Sequence, residues 1–133
     1  MSKAKTLTDA ELKRVLHVIK GSNRYAQRDT AMILLSHWCG LRIGEIAALS
    51  LSDVVDESGD IRTEIRLSAE DTKTNMARTV FVPEKMQRVL REYVKARGKR
   101  RSSFLFVTQK SQRFSANTAT QLLGRIYKKA GIE

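Results

Sequence analysis

The stretch WCGLRIGEIAALSLSDV, from Trp38 to Val54, places one arginine inside a run of apolar and small residues. The spacing of the apolar residues is that of a short amphipathic helix, and Arg42 interrupts it. A guanidinium that leaves water is destabilising unless an anion or several hydrogen-bond acceptors meet it. The sequence therefore predicts a specific partner for Arg42, either a carboxylate of the chain or an external anion.

The segment before this stretch predicts two helices. Thr8 and Glu11 have the spacing of a capping box, which indicates a first helix over residues 9–20. A dense apolar run predicts a second and more buried helix over residues 24–38, which Gly40 would end. A third, short helix is expected to follow that turn, within the quoted stretch.

The segment after it changes from a helical to an alternating pattern. Residues 61–67 alternate apolar and polar side chains, which is typical of a half-buried strand, and residues 79–83 are expected to be its partner. The polar tract over residues 68–78 would connect them as a long or bulged hairpin, with Lys73 near its tip. A small antiparallel hairpin is therefore expected beside the helices.

Two more helices are predicted in the second half. Pro83 stands where helices commonly begin, and a helix is expected over residues 84–97. Ser115 is the predicted N-cap of a last helix that ends at Gly131. Its apolar face comprises Ala119, Leu122, Leu123, Ile126, Tyr127 and Ala130. Residues 1–133 thus predict a single, mainly α-helical domain with a small antiparallel β-hairpin, of the α+β class.

The charge of the chain predicts a polyanionic partner. Its 25 Lys and Arg outnumber 14 Asp and Glu, giving a formal net charge of +11 and a pI near 10.2. The acids concentrate in residues 45–71, whereas residues 84–113 are strongly basic and include Lys99, Arg100 and Arg101. Nucleic acid is the expected partner, and a merely well-solvated basic surface is the alternative.

Several other classes of protein are disfavoured by the sequence. Cys39 is the only cysteine, which excludes an intramolecular disulfide and favours an intracellular, cytoplasmic location. His17, His37 and Cys39 do not have the spacing of metal ligands, and neither phosphate-binding glycine motif of nucleotide enzymes occurs. No metal or nucleotide cofactor is expected. The apolar runs are too short for a bilayer span, so no membrane partner is expected either.

Three ordered motifs give the chain a family resemblance. Residues 40–53 have the pattern G-L-R-x-x-E-x-x-x-L-x-x-x-D, residues 72–74 read T-K-T, and residues 78–83 have the pattern R-x-V-x-x-P. In this order and spacing the motifs resemble the catalytic domain of tyrosine recombinases, the phage-integrase-like enzymes that exchange DNA strands. The resemblance extends from about Leu7 to Ile132.

The resemblance implies roles for particular residues. Arg42 would bind the scissile phosphate, Glu45 would orient that arginine or its surroundings, and Lys73 would act as general acid toward the leaving 5′ oxygen. The last helix would approach the major groove of double-stranded DNA, with Ser115, Asn117, Thr120 and Gln121 as candidate contacts. Each role has a competing interpretation. Arg42 and Glu45 could form an ordinary ion pair within a helix, and Lys73 could be a solvated lysine at a hairpin tip. The polar side of the last helix could simply face solvent.

The sequence departs from the family pattern at its C-terminal end. The family's His-x-x-Arg box and nucleophilic tyrosine have no match, and Tyr25, Tyr93 and Tyr127 are at the wrong positions. The chain is expected to be truncated before these groups and inactive by itself, because phosphoryl transfer needs several cations acting together. The alternative is a non-catalytic nucleic-acid-binding module or a regulator of a full-length recombinase. The last helix is expected to be incompletely covered, which predicts either self-association or reduced stability.

Overall fold

The computed structural model describes residues 6–22, 25–68, 76–99, 102–108 and 113–132. Within these ranges the chain is mostly helical and has one two-stranded antiparallel sheet, which confirms the predicted fold class. The elements in chain order are α1 (Asp9–Ser22), α2 (Ala26–Cys39), α3 (Ile43–Ala48), α4 (Leu51–Val54), β1 (Glu64–Leu67), β2 (Arg78–Phe81), α5 (Glu84–Arg97) and α6 (Ala116–Lys129).

The helix ends follow local hydrogen bonds that the sequence indicates. The Thr8 N–H donates to Glu11 Oε1 at 2.9 Å, and the Glu11 N–H donates to Thr8 Oγ1 at 3.1 Å, so the predicted capping box begins α1. Gly40 ends α2 with φ at +72°, a left-handed conformation that favours glycine. Ser115 Oγ accepts the Thr118 N–H at 3.0 Å and caps α6 as predicted.

The quoted stretch forms two short helices, so the prediction of one is wrong. Arg42 is not inside a helix but is the extended N-cap residue of α3, and its N–H donates to Glu45 Oε1 at 2.8 Å. The Ser50 N–H donates to Asp53 Oδ2 at 2.8 Å at the start of α4. In each helix the acidic side chain at the third position accepts the backbone N–H of the N-cap residue. Two separate helices can therefore begin within one apolar run.

The predicted hairpin is present but its first strand is shorter than expected. Ile65 and Leu67 of β1 are buried while the residues between and before them are exposed, which confirms the inferred alternation. Ile61 lies outside the strand and forms an isolated antiparallel bridge with Val55. The predicted position of Lys73 lies outside the described residues.

The helices enclose a single core among the described residues. α2 packs against α1 and α5, and α6 packs against α1 and α3. On the predicted apolar face of α6, Ala119, Leu123, Ile126 and Ala130 are buried, whereas Leu122 and Tyr127 are half-buried, so this face is covered only in part. Amphipathic helices are stabilised chiefly by this kind of burial. No helix in the described parts of the chain combines the length and apolarity needed to cross a bilayer.

Arg97, at the end of α5, organises the segment that follows it. The residue is 7% exposed, and its side chain donates to the backbone carbonyls of Gly98, Ser102, Phe104 and Leu105. These carbonyls are ordered by the one guanidinium, which offers several donors in a fixed planar arrangement. The interaction joins α5 to the short segment that contributes the buried residues Leu105 and Phe106 to the core.

Replacing Arg97 by methionine is expected to lower the free energy of unfolding by about 2–4 kcal/mol, because buried carbonyls lose charged donors. Chemical denaturation followed by circular dichroism measures the change. Arg88→Met is the matched control: the Arg88 side chain is 63% exposed and pairs only with Glu84 at 3.3 Å in the described chain. The control should change stability by less than about 0.5 kcal/mol, and an equal effect of the two substitutions would contradict the prediction.

Candidate phosphate-binding site

Arg42 lies in the tight turn between α2 and α3. Gly40 allows the turn through its positive φ, and the fully buried Leu41 anchors it to the core. The Arg42 side chain remains 29% exposed, yet its Nε atom is buried. The turn therefore holds the base of the guanidinium within the protein and leaves part of the side chain open to solvent.

Glu45 provides the acidic centre of the site. Its side chain is 2% exposed and accepts two hydrogen bonds from Arg78, from Nη1 to Oε2 at 2.6 Å and from Nη2 to Oε1 at 3.0 Å. Two parallel bonds between a guanidinium and a carboxylate are the strong and geometrically specific form of this ion pair. Because Oε1 also accepts the Arg42 N–H, Glu45 joins α3, the turn before it and β2.

The guanidinium of Arg42 is left with weak contacts in the described chain. Its Nη1 lies 4.0 Å from Glu45 Oε2, which is too long for a hydrogen bond. Its Nε has no hydrogen-bond partner among the described residues although it is buried. The interpretation of Arg42 and Glu45 as a simple helix ion pair therefore accounts for little, since Glu45 binds Arg78 much more closely. A buried donor without an acceptor suits a site that an external oxyanion completes.

The start of α6 lies beside α3. A Cβ added to Gly44 would lie 3.8 Å from Ala116 Cβ, so the two helices approach closely near Arg42. The candidate residues on α6 and its N-cap are all exposed: Ser115, Asn117, Thr120 and Gln121. The hydroxyls of Ser115 and Thr120 donate to Thr118 and to the Ala116 carbonyl respectively, whereas the side chains of Asn117 and Gln121 have no hydrogen bond to another described residue.

The other predicted residues are not joined to this site. Lys99 is exposed just beyond α5, a helix that packs mainly on α2. Lys73, Arg100 and Arg101 lie outside the described residues. The structure thus brings Arg42, Glu45 and the start of α6 together, and it does not connect Lys99 with them.

Arg78 is the member of the site to which sequence analysis assigned no role. In the sequence it stands out only as the first residue of the R-x-V-x-x-P motif. The signal for it was the strand alternation, because Arg78, Val80 and Val82 share the side of the strand that faces the protein, and a charged residue at a core-facing position needs a partner. That partner, Glu45, is 33 residues away and could not be identified from local spacing.

Cys39 and the histidines do not form a metal-binding or nucleophilic site in the described chain. No group of three or more His, Cys, Asp or Glu side chains with metal-binding proximity occurs among the described residues. Burial raises the pKa of the Cys39 thiol to about 11, although the nearby Lys85 acts to lower it. A thiol with a raised pKa is a poor nucleophile at neutral pH.

The fold and comparison with known proteins define the class of protein. A helical domain with a small hairpin and the G-L-R-x-x-E pattern that begins at Gly40 is the arrangement of a tyrosine recombinase catalytic core. Residues 5–133 match the model of the phage integrase family, and the chain belongs to that family. The resemblance stated from the sequence is thereby confirmed.

Individual relatives cover the chain over nearly its full length. The tyrosine recombinase XerC of Caldanaerobacter subterraneus is 31% identical over 130 residues, which are 96% of this chain and 34% of the relative. The crystal structure of XerA recombinase superimposes with a TM-score of 0.73 at 25% identity, covering 96% of this chain and 44% of XerA. The chain therefore spans between a third and a half of the length of these relatives.

Lambda integrase shares the fold. Its catalytic core superimposes with a TM-score of 0.71 at 17% identity, covering 100% of this chain and 72% of that core. Lambda integrase has been solved bound to DNA and as a tetramer bound to a Holliday junction. At this identity the likeness concerns the fold alone.

The thiol of Cys39 is expected to react slowly with an alkylating reagent. A pKa near 11 instead of 9.0 lowers the thiolate fraction about a hundredfold between pH 7 and 8. The rate of iodoacetamide modification in the native protein, compared with the same protein in denaturant, measures this. A native rate equal to the denatured rate at pH 8 would show that burial does not protect the thiol.

Proposed function

We propose that this chain is the phosphate-binding part of a site-specific tyrosine recombinase, which cuts and rejoins double-stranded DNA by transesterification. Family membership and the net charge of +11 support this proposal. The observation that carries it is the state of Arg42: its Nε is buried without an acceptor in the described chain, and the adjacent carboxylate of Glu45 is occupied by Arg78. A DNA phosphate would supply the missing acceptors.

In the proposed reaction Arg42 binds the scissile phosphate and stabilises the charge that spreads over its oxygens. Glu45 holds the turn that carries Arg42 through the backbone bond. The hydroxyl of the recombinase's nucleophilic tyrosine, which has no match in these 133 residues, attacks the phosphorus and forms a 3′-phosphotyrosine, while Lys73 donates a proton to the leaving 5′ oxygen. The support for Lys73 is the T-K-T motif, because that residue lies outside the described part of the chain.

The start of α6 is proposed to contact DNA next to the phosphate site. The exposure of Asn117 and Gln121 and the close approach of α6 to α3 support this placement. Amide side chains can hydrogen-bond to base edges in the major groove, while Ser115 and Thr120 suit the backbone. Lys99, Arg100 and Arg101 are proposed to add sequence-independent attraction to phosphates.

We also propose that the recombinase assembles from several copies on DNA and acts at the nucleoid. The support is the fold shared with lambda integrase, which has been solved as a tetramer on a Holliday junction. Leu122 and Tyr127 on the apolar face of α6 are half-buried, which leaves part of that face available for association. Metal and nucleotide play no part in the proposed chemistry, which relies on cationic side chains.

Replacing Arg42 by methionine is expected to weaken binding to a random-sequence duplex about tenfold or more, because a charged hydrogen-bonding partner of phosphate is lost. The slope of log affinity against log salt should fall by about one. Fluorescence anisotropy across a salt series measures both quantities, and chemical denaturation checks that the variant folds.

The control for Arg42→Met is Arg88→Met, which removes the same charge from an exposed position of α5. The control should weaken binding less than about threefold. If Arg42→Met binds DNA as the unmodified chain does but loses stability, Arg42 is a structural residue and the chain is better described as a basic binding module or regulator.

The 133 residues by themselves are expected to bind DNA without forming a covalent adduct, because they contain no His-x-x-Arg box and no tyrosine in the family's nucleophile position. A suicide substrate that traps a phosphotyrosine linkage, followed by denaturing electrophoresis, tests this. A covalent adduct that disappears on replacement of Tyr25, Tyr93 or Tyr127 would overturn the expectation.

A further inference from the structure

The carboxylate of Glu45 lies between two arginines and binds only one of them closely. Arg78 approaches from β2 with two hydrogen bonds of 2.6 and 3.0 Å, whereas Arg42 Nη1 stays at 4.0 Å. Arg78 Nη2 also reaches to 3.5 Å from the Gly40 carbonyl, at the turn that precedes Arg42. The hairpin therefore places the guanidinium of Arg78 against the carboxylate of Glu45, beside Arg42.

Glu45 needs such a cation. Its side chain is 2% exposed, and an uncompensated buried carboxylate is strongly destabilising. Without Arg78, the nearest guanidinium in the described chain would be that of Arg42, whose own N–H already holds Glu45 Oε1. A small side-chain rotation would close the 4.0 Å separation into a hydrogen-bonded ion pair.

We propose that Arg78 is a positioning residue that neutralises Glu45 and thereby keeps the guanidinium of Arg42 available for an oxyanion of the DNA backbone. This inference rests on the proposed role of Arg42 in binding phosphate. Arg78 acts through competition: it occupies both carboxylate oxygens with its planar fork, so that Arg42 is held nearby by its backbone alone. Glu45 thus orders the turn through the backbone of Arg42 without forming a close ion pair with the guanidinium of Arg42.

The competing explanation is that Arg78 binds DNA directly. Its side chain is 35% exposed, so part of the side chain reaches solvent. The two explanations differ in what happens when Glu45 is neutralised at the same time. Competition predicts that Arg42 is released again, whereas a direct contact of Arg78 with DNA stays lost.

The test compares Arg78→Met, the double variant Glu45→Gln with Arg78→Met, and Arg42→Met on a random-sequence duplex across a salt series. Arg78→Met is expected to weaken binding about tenfold, as Arg42→Met does, because its Arg42 is paired to Glu45. The double variant has the net charge of the unmodified chain and should bind within about threefold of it. Arg88→Met controls for the loss of one positive charge.

A double variant that binds as weakly as Arg78→Met would overturn the inference, and so would an Arg78→Met variant that binds as the unmodified chain does. If Arg42→Met itself leaves the affinity unchanged, the proposed function fails instead, and the two failures are thereby distinguished. Should Arg78→Met not fold, Arg78→Lys retains the neutralising charge and is expected to bind within about threefold of the unmodified chain. A tenfold loss in a folded Arg78→Lys variant would contradict neutralisation as the cause.

Discussion

The buried carboxylate of Glu45 is the interaction on which the arrangement of the site depends. It accepts hydrogen bonds from the backbone N–H of Arg42 and from both terminal nitrogens of Arg78, so it joins the turn after α2 to the second strand of the hairpin. Because the carboxylate is almost inaccessible to water, separating the two elements it connects would either expose it or leave it buried without its ion-pair partner. The position of the hairpin relative to α3 is thus fixed by electrostatics as well as by packing.

The local parts of this architecture could be predicted from the sequence. The capping box at Thr8, the start after Pro83 and the cap at Ser115 each depend on residues within one helical turn, and each prediction was confirmed. The alternation around Ile65 likewise gave the inward face of the hairpin. Such features are readable because their physical causes lie within a few residues of one another.

The parts that could not be predicted depend on contacts between distant segments. Arg42 was expected inside a helix, yet Glu45 accepts its N–H and makes it the N-cap residue of α3. The pairing of Glu45 with Arg78 spans 33 residues, and neither residue's neighbours indicate the other. The interpretation of Glu45 as a partner of Arg42 could not include Arg78, which neutralises the same carboxylate and changes the charge balance of the site.

The distribution of charge supports a polyanion at Arg42 rather than elsewhere on this half of the fold. A cleft of about 570 Å³ beside α4 and β1 is lined by Asp53, Asp56 and Glu64, with Arg62 and Arg66 among them. The mixture of acids and bases there offers little net attraction to phosphate. At Arg42 the only close carboxylate in the described chain is already neutralised, so the field at its guanidinium remains positive.

Arg97 and Arg42 show why burial alone does not identify a functional arginine. Both are partly or largely removed from water, but the donors of Arg97 meet the carbonyls of the segment after α5, so its charge serves to order the chain. Arg42 keeps a buried Nε that nothing in the described chain accepts. A buried N–H donor without an acceptor lowers the stability of the fold, and an apolar side chain at this position would not carry that cost. The retained cost is explained if the acceptor comes from outside the chain, and a phosphate of DNA is the acceptor that we propose for it.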